Sequence, residues 1–294
     1  MLRFDRALLT RKMPFWAVFC LVLASCGSHP PYPRGELEKL FPTGHRPVLE
    51  DVLLGERSLR VARLDAEPTP QSAAAPSVLF IHGSPGDWEA WASFLATESL
   101  DGLGARLAVD RPGFGGSTDA GLMLDLRQQA ALLARLIPPG KRAIVVGHSL
   151  GGPIAAWMAI DRPDLVCGAV SVAGSLAPTL EAPRWYNRAA QLKLVQWVLP
   201  REMLASNREM MGLSSELTAL GQGWKSLRVP FVLMQGMDDK LVDPRTPDRV
   251  APLAPSKWLQ VRRYPGEGHF VLWEKPGLVI DAIRSLPCAA QASP

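Results

Sequence analysis

Five short apolar runs punctuate the chain, at residues 78–81, 106–110, 143–146, 166–172 and 229–234, and the more polar 258–264 reads as a last strand. Runs of four to seven such residues without alternation are typical of strands buried on both faces. Segments with helical spacing of apolar positions lie between them, at 88–100, 122–137, 154–159 and 276–286. Pro138-Pro139-Gly140 ends the second of these. Strands alternating with helices predict an α/β fold with a mostly parallel sheet covered on both faces. Ahead of it, 48–64 reads as two short antiparallel edge strands meeting at Gly55-Glu56, and 68–76 as an alanine- and proline-rich loop.

The long gap between the fourth and fifth of these runs changes the picture. Residues 175–228 show no strand alternation, but Trp185, Ala189, Leu192, Val195 and Leu199 recur at steps of a helical stripe. Met203, Leu204, Met210, Met211, Leu213, Leu217 and Leu220 extend the apolar series. This predicts a small helical cap inserted at the carboxyl edge of the sheet, the side where such folds bind ligands. The expected organisation is a leader (1–25), a tether (26–45), a core in two parts (46–174 and 229–288) around the cap (175–228), and a tail (289–294).

Candidate chemistry centres on Gly147-His148-Ser149-Leu150-Gly151-Gly152. An apolar strand precedes it and a small-residue helix follows, so Ser149 should sit on a sharp strand-to-helix turn that holds its hydroxyl out of the sheet. The free N–H groups at the start of that helix favour negative charge nearby. A serine needs a base to attack near neutral pH. His269, in the Gly-rich loop after the final strand, is best placed. His148 adjoins the serine but points elsewhere in such a turn, and suits packing or a local hydrogen bond; His82 suits support of a neighbouring loop. His29 and His45 fall in the tether.

The N-terminus bears on charge and on cysteine use. Arg11 and Lys12 precede an apolar run at 13–24 that is too short to span a bilayer comfortably, as in an export signal. Leu23-Ala24-Ser25-Cys26 resembles the lipobox of bacterial lipoproteins. The resemblance implies cleavage before Cys26, lipid on its sulfur, and a bacterial cell-envelope location on the membrane. Gly27 and Ser28, in place of an aspartate, favour the periplasmic face of the outer membrane. The chain carries a formal +4, but four basic residues against Asp5 lie in the leader, so most of that charge leaves with it. No dense basic patch with interleaved aromatics follows, so nucleic acid is not an expected partner. Nothing has metal-site spacing, and no cofactor is expected. With Cys20 removed and Cys26 modified, Cys167 and Cys288 remain. An oxidising compartment permits a disulfide, but Cys167 opens a buried strand and reads as a free core thiol.

Residues 46–288 are similar to the α/β-hydrolase superfamily. His82-Gly83-Ser84-Pro85-Gly86 resembles its HGxxG motif on the oxyanion side, and Asp110 to Ser117 (DRPGFGGS) its DxxGxGxS loop. Gly147–Gly151 resembles its nucleophile elbow, Val229–Asp239 its acid-bearing strand and turn, and Gly266–Phe270 its histidine segment. The resemblance implies Ser149, Asp239 and His269 as catalytic residues, with Asp238 and Asp243 as rivals for the acid. It also implies an oxyanion hole from the N–H groups of Leu150 and Ser84, since Pro85 has none to give. Trp88, Trp91 and Trp185 are candidates to line a substrate pocket or simply to pack. A serine at the elbow implies acyl transfer to water, with a small or medium carboxylic ester as the expected substrate. Amide, peptide and lactone hydrolysis use the same machinery. HGSPG is also similar to proline iminopeptidases, although Leu150 replaces their usual tryptophan. A surface-tethered binding protein without catalysis is the alternative from a different class. The oligomeric state is open.

Overall fold

The computed structural model describes residues 37–41, 46–67 and 69–290. The leader, Cys26, most of the tether and the last four residues lie outside the described residues. Eight strands form one sheet: β1 (Val48–Leu54), β2 (Arg57–Leu64), β3 (Ser77–Ile81), β4 (Arg106–Val109), β5 (Ala143–His148), β6 (Val166–Val172), β7 (Phe231–Gly236) and β8 (Leu259–Tyr264). Their spatial order is β1-β2-β4-β3-β5-β6-β7-β8. β1, β2 and β4 pair antiparallel, and every later neighbour pair is parallel.

The unbroken apolar runs follow from burial on both faces. Along β3, Leu79 and Ile81 join a core on one face with the elbow helix Gly151–Asp161 and the cap residues Leu213, Leu217, Leu220 and Trp224. Val78 and Phe80 alternate to the other face, where Trp88, Trp91, Phe94, Val279 and Ile283 complete a second core. Burying side chains of this size stabilises by about 1.5–3 kcal/mol each, before chain entropy is counted.

Helix boundaries depart from the sequence pattern where a polar side chain caps the chain. The helix expected over 122–137 is Leu126–Leu133, because Asp125 adopts an extended conformation and accepts from Gln128 N–H. The segment 88–100 breaks into three short turns, with Thr97 extended between the last two. The cap comprises the helices Trp185–Ala189, Lys193–Gln196 and Arg201–Gly223. Leu192 is extended (ψ 131°) between the first two, so the single stripe from Trp185 to Leu199 does not form. Leu199 is buried, whereas Trp185 and Leu192 face solvent.

Cys167 is not a free thiol. It is disulfide-bonded to Cys288, with Cα atoms 6.2 Å apart. Strand β6 and the last helix, Pro287–Ala290, run side by side over the second core, which brings together two cysteines 121 positions apart.

Candidate active site

Ser149 occupies the turn between β5 and the elbow helix with φ 52°, a left-handed conformation that a residue with a Cβ rarely adopts. Its flanking glycines explain why the turn is tolerated. A Cβ on Gly147 would lie 2.1 Å from the Gly151 carbonyl oxygen, and one on Gly151 would lie 2.3 Å from that of Ile81. Both positions therefore admit glycine alone. The Ser149 N–H donates to Val172 O, and Gly152 N–H donates to Ser149 O, which ties the elbow to β6 and to its own helix.

The loop after β3 comes up against this serine. A Cβ on Gly83 would sit 2.9 Å from the Ser149 Cβ, so Ser84 follows immediately after the point of closest approach. Leu150 is fully buried at the start of the elbow helix. The HGSPG loop is held from beneath by His82. Its Nδ1–H donates to Gly83 O at 2.7 Å, and its Nε2 accepts from Arg111 N–H at 2.9 Å. Burial and the nearby Arg111 charge keep this imidazole well below its usual pKa, so it is a neutral brace.

His269 and Asp239 meet at the ends of β8 and β7. His269 Nδ1 lies 2.9 Å from Asp239 Oδ2, with both side chains buried. Asp239 Oδ1 accepts from the N–H groups of Leu241 and Val242 at 2.8 and 2.9 Å, and Gln235 Nε2 donates to Oδ2 at 3.3 Å. Burial opposes its charge, but the imidazole and the two N–H groups outweigh that and lower its pKa. Asp238 is exposed, and Asp243 pairs with Arg245, which holds its carboxyl down at about 2. Of the three acids, Asp239 is the one hydrogen-bonded to His269. His148 packs beside the His269 ring, centroids 4.8 Å apart, and its Nε2–H donates to the His269 carbonyl at 3.0 Å. Burial and the neighbouring imidazole push its pKa down to about 3, so it stays neutral and anchors the loop.

Of the three tryptophans, two are core residues and the third is exposed. Trp91 is fully buried and stacks on Phe80, centroids 5.0 Å apart. Trp88 packs in the same core, with its N–H donating to Asp110 Oδ1. Trp185 stands exposed on the cap. The sequence pattern could not separate core from pocket here, because three-residue spacing on a helix serves both.

Three groups at the site escaped the sequence reading. Glu209, on the long cap helix Arg201–Gly223, accepts from Ser84 Oγ at 2.5 Å and from Arg111 at 2.6 and 3.1 Å. It falls in register with Leu213, Leu217 and Leu220 on the buried face of that helix. One acid on an apolar stripe was the available signal. Arg111 also donates to the carbonyls of His82 and Gly83 and to Gln129. Glu181, at the cap entrance, accepts from Ser175 and feels the charge of Asp239; burial raises its carboxyl to about 7. Among the described residues, no group of three or more His, Cys, Asp or Glu could hold a metal ion.

The model of the α/β hydrolase family matches residues 78–282. The chain belongs to that family. This α/β hydrolase is 31% identical over 171 residues to the dihydrolipoyllysine-residue acetyltransferase component of an acetoin cleaving system from Cupriavidus necator, covering 52% of this chain and 45% of the relative. It is 36% identical over 115 residues to a 2-succinyl-6-hydroxy-2,4-cyclohexadiene-1-carboxylate synthase from Salmonella agona, covering 38% and 43%. In both cases the match spans less than half of the relative's own length. Among solved structures, the peroxisomal α/β-hydrolase Lpx1 from Saccharomyces cerevisiae superposes with a TM-score of 0.64 at 16% identity, over 85% of this chain and 87% of that one. That likeness is one of fold.

Proposed function

We propose that this α/β hydrolase is a serine hydrolase that cleaves a small or medium carboxylic ester through an acyl-enzyme. The observation that carries the reading is the buried Asp239–His269 hydrogen bond, whose histidine packs on His148, the residue just before a serine held at φ 52° on the elbow. Asp239 fixes the imidazole with its proton on Nδ1, leaving Nε2 to take the Ser149 proton as Oγ attacks the ester carbonyl. The oxyanion then accepts from the N–H groups of Leu150 and Ser84. The imidazolium returns its proton to the leaving alcohol, and water repeats the sequence to release the acid.

The names of the relatives include an acetyltransferase component and a synthase, so ester cleavage is chosen on the serine, the acid–base pair and the loop that meets them. A reporter ester series and a fluorophosphonate test it. Turnover of the esters, with labelling lost in Ser149→Ala, supports the reading. Neither turnover nor labelling would leave a binding protein, and preference for amides or lactones would redirect the substrate class.

The same proposal places the protein on the bacterial cell envelope, with lipid on Cys26 and the enzyme on the periplasmic face of the outer membrane. The lipobox resemblance supports this. Mass spectrometry of the membrane fraction should find an acylated N-terminal peptide starting at Cys26; an unmodified Cys26 would remove the anchor.

A further inference from the structure

The cap carries the largest exposed apolar side chains of the described molecule outside β1, and they cluster in one short segment. Leu192, Leu194, Trp197 and Val198 are 62, 80, 87 and 73% exposed, with Trp185 close by in sequence at 55%. The helix Lys193–Gln196 is a single turn, so these four residues share one small surface. Leu194 stands three and four residues before Trp197 and Val198, the spacing of neighbours on one helical face. The opposite side of the segment faces inward, with Leu199 buried and Val195 half-buried. The segment therefore has two apolar sides, and the fold uses only one. Contiguous apolar surface rimmed by charge marks an interaction site more often than isolated exposed leucines do.

The charge around this surface selects its partner. Residues 182–201 contain Arg188, Lys193 and Arg201, all exposed, and Arg184, whose guanidinium is held by the carbonyls of Lys240 and Leu241; no aspartate or glutamate occurs between Glu181 and Glu202. A second copy meeting this face about a two-fold axis would bring the cationic rim onto itself. An anionic bilayer meets both demands. Trp and Leu enter the headgroup boundary, while Lys and Arg extend to lipid phosphates. Each basic residue near such a surface adds attraction that salt weakens.

We infer that the cap surface formed by Leu192, Leu194, Trp197 and Val198 is a seat for an anionic phospholipid bilayer, and that it holds the cap side of the enzyme against the membrane. The inference stands apart from the ester reading and from lipid at Cys26. A lipid there would tether the chain, whereas this surface would orient the folded domain.

The test compares the full chain with Trp197→Phe, an exposed and apolar exchange that leaves the seat intact but removes one fluorophore. The difference between their emissions reports Trp197 alone. The probe is a phosphatidylglycerol vesicle with brominated acyl chains, set against brominated phosphatidylcholine and against acrylamide in the water phase. The expected result is that bromine in phosphatidylglycerol quenches the Trp197 component and shields it from acrylamide, with less of both in phosphatidylcholine or at high salt. Lys193→Glu with Arg188→Glu should lower that quenching severalfold. Three outcomes overturn the inference. Trp197 could remain open to acrylamide while the protein is on vesicles, or the protein could fail to bind them. Alternatively, Trp197 could become shielded without lipid as protein concentration rises, which would make the face an interface between copies of the chain.

Discussion

Arg111, in the loop after β4, and Glu209, on the long cap helix, form a two-pronged ion pair at 2.6 and 3.1 Å with both side chains out of solvent. Ser84 Oγ donates to the same carboxylate. One buried acid therefore joins the cap, the DRPGFGGS loop and the loop that meets Ser149. Removing one partner strands the other charge in the interior. Glu209→Ala is expected to cost about 3–5 kcal/mol in urea unfolding. Arg111→Met combined with Glu209→Leu should recover only part of that loss, because the charge pair goes together but the carbonyls of His82 and Gly83 and the Ser84 hydroxyl each lose a partner. A Glu209→Ala protein within about 1 kcal/mol of wild type would show that the pair does not join these elements.

Ser149→Ala and His269→Ala should each lower kcat/KM by roughly 10³-fold or more, with the double variant little worse, because the residues act as one unit. Steady-state kinetics on a reporter ester checks this. Activity within about tenfold of wild type for either single change refutes the assignment.

The acid has its own test. Asp239→Asn keeps the shape but can present its amide N–H to the ring and favour the other tautomer; the loss in kcat in the serine-protease case is of order 10⁴-fold. Exposed Asp238 should tolerate asparagine with less than about a tenfold effect. Thermal melts before the kinetics establish that both variants fold. A dead Asp238→Asn beside a near-normal Asp239→Asn would contradict the geometry at His269.

Cys288→Ser should lower stability by about 2–4 kcal/mol under oxidising conditions, because it reopens a long loop in the unfolded chain. Adding reductant to wild type should give a similar drop and should leave Cys288→Ser unchanged. Equal melting of the two proteins without reductant would mean that the bond does not form.

Burial pushes both Asp110 and Glu181 up to about 7, above an ordinary carboxyl near ~4. Each holds its proton more tightly folded than unfolded. Their contribution is fully present below the unfolded value and is lost as pH climbs through about 7. Asp239 is lowered, so its contribution has the opposite sign and is lost only on acidification below the usual carboxyl range. The lowered imidazoles of His82 and His148 act in the opposite sense up to the ordinary histidine range, so stability should fall from about pH 6.5 to about pH 8. Glu181→Gln should flatten that fall, by of order 1 kcal/mol. Parallel pH curves for the two proteins would remove Glu181 from this role.

The centre of the sheet was legible because β3 to β7 are buried on both faces and wrote apolar runs, while β1 and β8 at the edges are partly exposed and mix polar residues into theirs. The elbow was legible because Gly147 and Gly151 have no room for a Cβ. Other features depended on partners distant in sequence. Cys167 reads as a core thiol until Cys288, 121 positions on, lies beside it. Trp91 has pocket-like spacing until Phe80 stacks on it. The cap stripe failed at Leu192, where one extended residue resets the helical phase. Glu209 was hidden because its partners, Arg111 and Ser84, precede it by 98 and 125 positions.

Ser149 leaves β5, but Asp239 and His269 arrive only with β7 and β8, which pair with each other from Phe231↔Leu259 to Gly236↔Tyr264. On the proposed reading, a chain stopped short of that last ladder would hold its serine with no base to activate it and no acid to orient one. Hydrolytic power would then wait on the docking of the final strand, which makes completion of the sheet its own safety catch.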